Sequence, residues 1–295
     1  MLGFIKAWID KCGLGEEAYN EFSKKYRELT ATKEDEKAFF EILDAYDRDM
    51  HYDHHILLDK IRSLAKRTGV HEYTAVALMF ICMTPSLKKH YIKQGYPLDV
   101  FEKTSEDVSY HARYCKEVKG FWGTFTTWHI ALYQMRIFGF GRLQFEIKTA
   151  DFDYHENGYD IVSGQTPMLG IHIPRTGTPM TPKDCDASFR AATDFFRDKL
   201  FGGGKVLFHC SSWLLFEKHD TMLKPTSNIY QFKQRFDIIC YKEYNDYSEV
   251  WRLFEKEYTG NPDDLPADSS LRRSYIDLIR RGEKTGRGIG VFYYE

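Results

Sequence analysis

The hydrophobic period of this 295-residue chain changes once, between Phe138 and Gly141, and that change calls for two differently built halves. Upstream, Tyr19, Phe22 and Tyr26 recur at spacings of three and four, and Phe39, Ile42, Leu43 and Tyr46 repeat the pattern. This spacing predicts helices over 16–29 and 34–46, with further helices over 56–65, 72–83, 86–94, 105–118 and 122–138. Pro85 and Pro97 mark expected breaks, and Gly69, Gly95 and Gly120 stand at expected helix ends. Downstream, residues 141–147 (GRLQFEI) alternate, with Leu143, Phe145 and Ile147 on one side and Arg142, Gln144 and Glu146 on the other. That is the pattern of a strand with one buried face. Strands are also predicted over 168–173, 206–216, 237–241 and 289–294, and helices over 183–200, 227–236, 247–258 and 269–281. Seven of the 21 glycines lie in residues 1–138 and 14 in 139–295, so the turns gather in the second half. The expected fold class is α+β: an all-helical domain over 1–138, then a mixed α/β domain over 139–295. Aromatic residues number 22 in the first part and 25 in the second, enough for a core in each.

Composition removes several function classes. Lys and Arg total 41 against 43 Asp and Glu, a balance unlike that of a protein that coats phosphate backbones, so no nucleic-acid partner is expected. The six cysteines (12, 82, 115, 185, 210, 240) form no C-x-x-C pair and read as free thiols of a reducing compartment. The longest apolar run, Ala75 to Met83, is far short of the roughly 20 residues that span a bilayer. Charged Lys6, Asp10 and Lys11 interrupt the stretch a signal peptide would need. The expectation is a cytoplasmic protein with no membrane partner.

Two segments carry candidate chemistry. In 171–184 (IHIPRTGTPMTPKD) a strand runs through a short loop into a helix whose start is well marked: Thr181 as N-cap, Pro182 in the first position, and Asp184 completing an approximate capping box. Backbone N–H groups there, with Gly177 and the hydroxyls of Thr176 and Thr178, suit an anionic phosphate, and Arg175 can add a bidentate contact. The plainer reading is a βα turn capped by its own threonines. In 206–216 (VLFHCSSWLLF) small polar residues interrupt an apolar strand, as where a strand bulges or parts from its neighbour. Cys210 or Ser212 can donate a proton there; otherwise the cysteine is packing and the serines bond backbone.

Other motifs point less far. His51, His54 and His55 have helical metal-site spacing but no matching carboxylate or Cys pair, which favours a solvated helix terminus and no metal. Gly202-Gly-Gly-Lys205 precedes a strand where a phosphate loop precedes a helix, and Gly286-Arg-Gly-Ile-Gly290 also leads into a strand. Arg272, Arg273, Arg280, Arg281, Lys284 and Arg287 cluster near the end, either as a phosphate contact or as a solvated helix face.

Taken in order, GRLQFE at 141–146, HIP at 172–174, CSSWLL at 210–215 and SNI at 227–229 resemble a bacterial GNAT-like acyltransferase family. In it, a helical N-acyltransferase N-terminal domain precedes a GNAT-type C-terminal domain. The resemblance covers most of the chain and includes the stretch from Trp128 to Phe140. It implies acyl transfer from acetyl-coenzyme A, or another acyl-coenzyme A, to a small-molecule amine acceptor. It also implies a pyrophosphate site in the strand–loop–helix unit at 172–184, with Arg175, Thr176, Gly177 and Thr178, a matching Asn228, and a splayed strand at 206–216. The usual signature with two small residues is absent, since Arg175-Thr-Gly-Thr-Pro has one glycine, which keeps a non-catalytic acyl-coenzyme A sensor as the alternative. Arg235 also stands where a glycine would precede Phe236.

Amide formation needs a base for the ammonium, a donor for the tetrahedral oxyanion and a proton for the thiolate. Glu146 or His172 is expected as base, the latter because imidazoles ordinarily titrate near neutrality. Cys210, Ser212 or Tyr230 is expected as acid. An ion pair with Arg142 is the structural alternative for Glu146.

Overall fold

The computed structural model describes residues 1–295. It forms two compact units: Met1–Gly139 with Pro174–Thr176, and Phe140–Ile173 with Gly177–Glu295.

The first unit contains α1 (Leu2–Lys11), α2 (Gly15–Leu29), α3 (Lys33–Arg48), α4 (His54–Thr68), α5 (Glu72–Lys93), α6 (Leu98–Ser105), α7 (Asp107–Lys119) and α8 (His129–Tyr133). Its centre is α5, buried without interruption from Thr74 to Thr84 and packed by α1, α2, α3, α4, α6 and α7. The break expected at Pro85 does not occur. Proline removes one helical hydrogen bond at a cost of about 3 kcal/mol, but this helix is clamped from all sides. Just before the proline, the Phe80 carbonyl accepts from the hydroxyls of Thr84 (3.2 Å) and Tyr133 (2.7 Å). The helix expected over 105–118 forms as α7, begun two residues later, whereas the one over 122–138 shrinks to α8. In the latter, threonine hydroxyls take the backbone N–H groups: Thr124 accepts from Thr126, and Thr126 from Trp128, competing with helix. Gly123 lies so close to α5 that a Cβ would come within 2.8 Å of the Tyr73 backbone.

After β1 (Ile137–Phe140), the chain enters the second unit. Its elements are β2 (Leu143–Thr149), β3 (Pro167–His172), α9 (Pro182–Leu200), β4 (Val206–Ser212), α10 (His219–Met222), α11 (Asn228–Lys233), β5 (Asp237–Glu243), α12 (Trp251–Phe254), α13 (Ser270–Arg280) and β6 (Gly286–Tyr294). The strands run in the order β2-β3-β4-β6-β5, all antiparallel except β3 with β4. Phe189 of α9 packs its ring against Phe145, Phe208 and Phe292, which fixes the face that α9 covers. Ala150, Tyr159, Ile161, Met168, Leu207 and Val291 form a second cluster on the opposite face. The strand expected over 206–216 stops at Ser212, and the helix over 247–258 reduces to a 3-10 turn, Ser248–Val250, and the single turn of α12. No helix is long and apolar enough to cross a membrane.

Candidate functional site

Antiparallel pairing of β2 and β3 sets Glu146 opposite Gly170 and Gln144 opposite His172. Side chains alternate, so Gln144, Glu146 and Lys148 share one sheet face with Gly170 and His172, away from α9. His172 is the diagonal neighbour of Glu146, a separation that a long side chain can bridge. It does so here: His172 Nε2 lies 3.0 Å from Glu146 Oε2, both side chains a little over one-quarter exposed. Gly170 contributes to this reach. The position directly opposite Glu146 carries no side chain, and a Cβ there would sit 3.1 Å from Lys148 Cδ and 3.7 Å from Glu146 Oε2.

The next strand begins parallel and then parts. β3 and β4 are in register only at Leu169 with Phe208 and Gly170 with His209. One step further, the Cys210 thiol faces the Ile171 carbonyl at 4.0 Å. Cys210 shares the α9 side with Phe208, and burial pushes its thiol up to about 12. It stays protonated at neutral pH and is no nucleophile.

Ser212 has a different task from the acid expected of it. Its Oγ accepts from the Leu214 N–H at 3.2 Å and caps the 3-10 turn Trp213–Leu215. Tyr230 belongs to α11, which packs against α9 and so lies on the far side of the sheet from Glu146 and His172. Asn228 opens the same helix behind the cap Ser227. Sheet geometry therefore joins Glu146 and His172 and separates Tyr230 from them.

The start of α9 is built as its residues suggest. Thr181 Oγ1 accepts from the Asp184 N–H at 3.2 Å and donates to the Asp184 carboxylate, with Pro182 in the first turn. Arg235 adds a cation there, bonding Asp186 and donating to the Pro182 carbonyl at 3.2 Å. Gly177 takes φ +78°, the left-handed region, with no heavy atom within 4 Å of a would-be Cβ; Thr176 donates its N–H to Pro174. Arg175 pairs with Glu117 and lies 4.8 Å over the Tyr114 ring.

The remaining motifs are absorbed locally. His54 turns into the core, its Nδ1 accepting from Gln134 at 2.9 Å, while His51 and His55 are exposed. No group of three His, Cys, Asp or Glu could hold a metal ion. Most of the terminal basic cluster is neutralised: Arg272 by Asp268 and Glu255, Arg280 by Asp263, Arg281 by Glu283, Lys284 by Glu243. Sequence reasoning missed His209, which shares the face of Glu146 and His172. Its signal was present, a histidine at an alternate position in the apolar run Val206–Cys210.

Comparison with known proteins adds the following. Residues 137–292 match the model of the GNAT-like C-terminal domain and residues 4–135 that of the N-acyltransferase N-terminal domain. No curated protein matches. Among solved structures, an acyltransferase mutant in complex with octanoyl-CoA is 20% identical, with a TM-score of 0.74 over 98% of this chain and 87% of that one. An acyltransferase in complex with decanoyl-CoA and teicoplanin is 20% identical, with a TM-score of 0.64 over 98% and 99%. A third, with CoA and 10C-teicoplanin, is 22% identical, with a TM-score of 0.66 over 94% and 87%. At these identities the structural likeness concerns the fold.

Proposed function

The chain belongs to the GNAT-like acyltransferase family that joins an N-acyltransferase N-terminal domain to a GNAT-like C-terminal domain, and on that premise we propose that it moves an acyl group from acyl-coenzyme A to an amine of a small-molecule acceptor. The observation that carries the chemistry is the Glu146–His172 pair. A carboxylate only accepts hydrogen bonds, so Glu146 holds His172 as the tautomer protonated on Nε2. Nδ1 is then the basic nitrogen, which takes the proton from the acceptor ammonium. As His172 becomes an imidazolium, the adjacent carboxylate stabilises its charge, the role a carboxylate plays beside a catalytic histidine elsewhere. Backbone amides of the Gly177–Thr181 loop and the first turn of α9 are suited to the pyrophosphate, and the short parallel register of β3 with β4 supports an extended arm lying beside these strands. Thr176, Thr178, Arg175 and Asn228 are the further proposed contacts. Burial and capping turn Cys210 and Ser212 away from acid duty, which favours departure of coenzyme A as the thiolate.

The similar solved structures hold octanoyl-CoA, decanoyl-CoA or CoA and, in two cases, teicoplanin or 10C-teicoplanin. This supports extending the donor series beyond acetyl and the acceptor series to large amines. The test is thiol release from acetyl- to decanoyl-coenzyme A across an amine panel, with calorimetry on coenzyme A. Glu146→Gln and His172→Ala are expected to lower kcat by about 10²- to 10⁴-fold while binding persists. Undiminished turnover in both overturns the base assignment. Binding without any turnover in the wild type makes the chain a sensor, and no binding at millimolar ligand removes both readings.

A further inference from the structure

His209 is set apart from the other buried histidines of this chain. His129 is bonded to Asp107 (3.0 Å) and Thr124 (3.1 Å). His219 is bonded to the Leu214 carbonyl (3.2 Å) and the Tyr275 hydroxyl (2.7 Å), and His54 to Gln134. His209 is only 7% exposed, touches the ring of Phe152, and has no hydrogen-bond partner within the protein. Neither ring nitrogen is among the side-chain atoms wholly sealed from solvent without a partner, so a ligand on this face can reach them and hydrogen-bond there.

Its position says which ligand. Glu146, Gly170 and His209 stand in one row across β2, β3 and β4, with the side-chain-free glycine in the middle. His209 is therefore across from the Glu146–His172 pair, on the last rung before β3 and β4 part. We propose that His209 is a substrate-contacting residue of the acyl-transfer site, its imidazole N–H donating to the thioester carbonyl oxygen as that oxygen becomes an oxyanion. This deepens the acyl-transfer reading and rests on it. The ammonium first loses a proton to His172, which passes it to solvent; the free amine nitrogen then attacks the carbonyl carbon, the C=O pair moves onto oxygen, and the second proton shed by nitrogen passes to His172. The pair then returns, the C–S bond breaks, and coenzyme A leaves as thiolate. His209 gains and loses no proton.

The surroundings suit a donor that stays neutral. Burial, assisted by Lys148 and His172 and opposed by Asp151 and Glu146, lowers the imidazole to about 4. At neutral pH it keeps one N–H and carries no charge, as an electrophilic imidazole must. It is too weak an acid to protonate the leaving thiolate, so the oxyanion is the partner that matches.

The test uses the full chain with the best acyl-coenzyme A and amine pair. His209→Ala is expected to lose about 10²- to 10³-fold in kcat, the effect of deleting one oxyanion donor, with coenzyme A affinity and melting temperature near wild type. His209→Asn, which restores an N–H, is expected to regain at least about tenfold over His209→Leu. Equal activity of the Asn and Leu variants would reduce His209 to packing and overturn the assignment, as would wild-type kcat in His209→Ala. A wild-type chain that releases no thiol overturns the acyl-transfer reading and this assignment with it.

Discussion

Glu146 meets His172 because two residues on neighbouring strands are diagonal partners and the residue between them, Gly170, has no side chain. Both residues were visible in the sequence as polar positions of predicted strands. Their pairing was not, because register is decided between strands and not within one. Ser212 shows the converse. Its hydroxyl serves Leu214, so Ser212→Ala is expected to cost about 1 kcal/mol of stability, measured as a urea midpoint, while kcat holds. A hundredfold loss of turnover would return Ser212 to the list of acids. Thr181, by contrast, was legible as a cap: Thr-x-x-Asp behind a strand and ahead of an apolar stripe needs only its own neighbours.

Elements that are long and strongly periodic were readable, and those governed by a neighbour were not. The helix expected over 183–200 became α9 almost unchanged, since Cys185, Phe189, Ala192 and Phe196 define its buried stripe. Phe189 is fully buried among Phe145, Phe208 and Phe292, so Phe189→Ala should cost about 3–5 kcal/mol in chemical denaturation; a loss under 1 would mean that α9 does not anchor the sheet. Two of the alternating glycines of β6, Gly286 and Gly288, lie against the turn after β4. A Cβ on Gly288 would fall 2.3 Å from the Leu215 carbonyl oxygen, and one on Gly286 would fall 2.7 Å from the Phe216 ring. Gly288→Ala is therefore expected to destabilise by several kcal/mol or to prevent folding, whereas Gly260→Ala, with nothing nearby, should remain folded despite its left-handed φ. Equal melting temperatures for the two would contradict this close packing. In sequence the same glycines looked like a weak phosphate motif, because a close approach by a distant segment leaves no local trace.

Across the whole molecule, acid should act mainly through buried histidines. Burial lowers His111, His209 and His219 to about 4, while the unfolded chain titrates near 6.5. Between these values the unfolded state binds protons that the native state refuses, so stability is complete above about pH 6.5 and falls as the pH drops towards 4. Glu283, held down to about 2 by Lys218 and Arg281, adds a further loss below about pH 4.5, with the same sign. Urea midpoints at pH 7.5, 5.5 and 4.5 should decline in that order; a flat series would mean these histidines are solvated.

Legible in the chain alone were the helical character of the residues before 138, the alternating strands after them and the capped start of α9. These follow from backbone periodicity and short-range hydrogen bonds, which act over a few residues. Long-range packing and register settle that α5 runs through Pro85, that Ser212 caps a turn, that Glu146 reaches His172, and that His209 stands across Gly170 from them with no hydrogen-bond partner in the protein. Each depends on segments far apart in the chain, where packing and strand register outweigh the preferences of any single stretch.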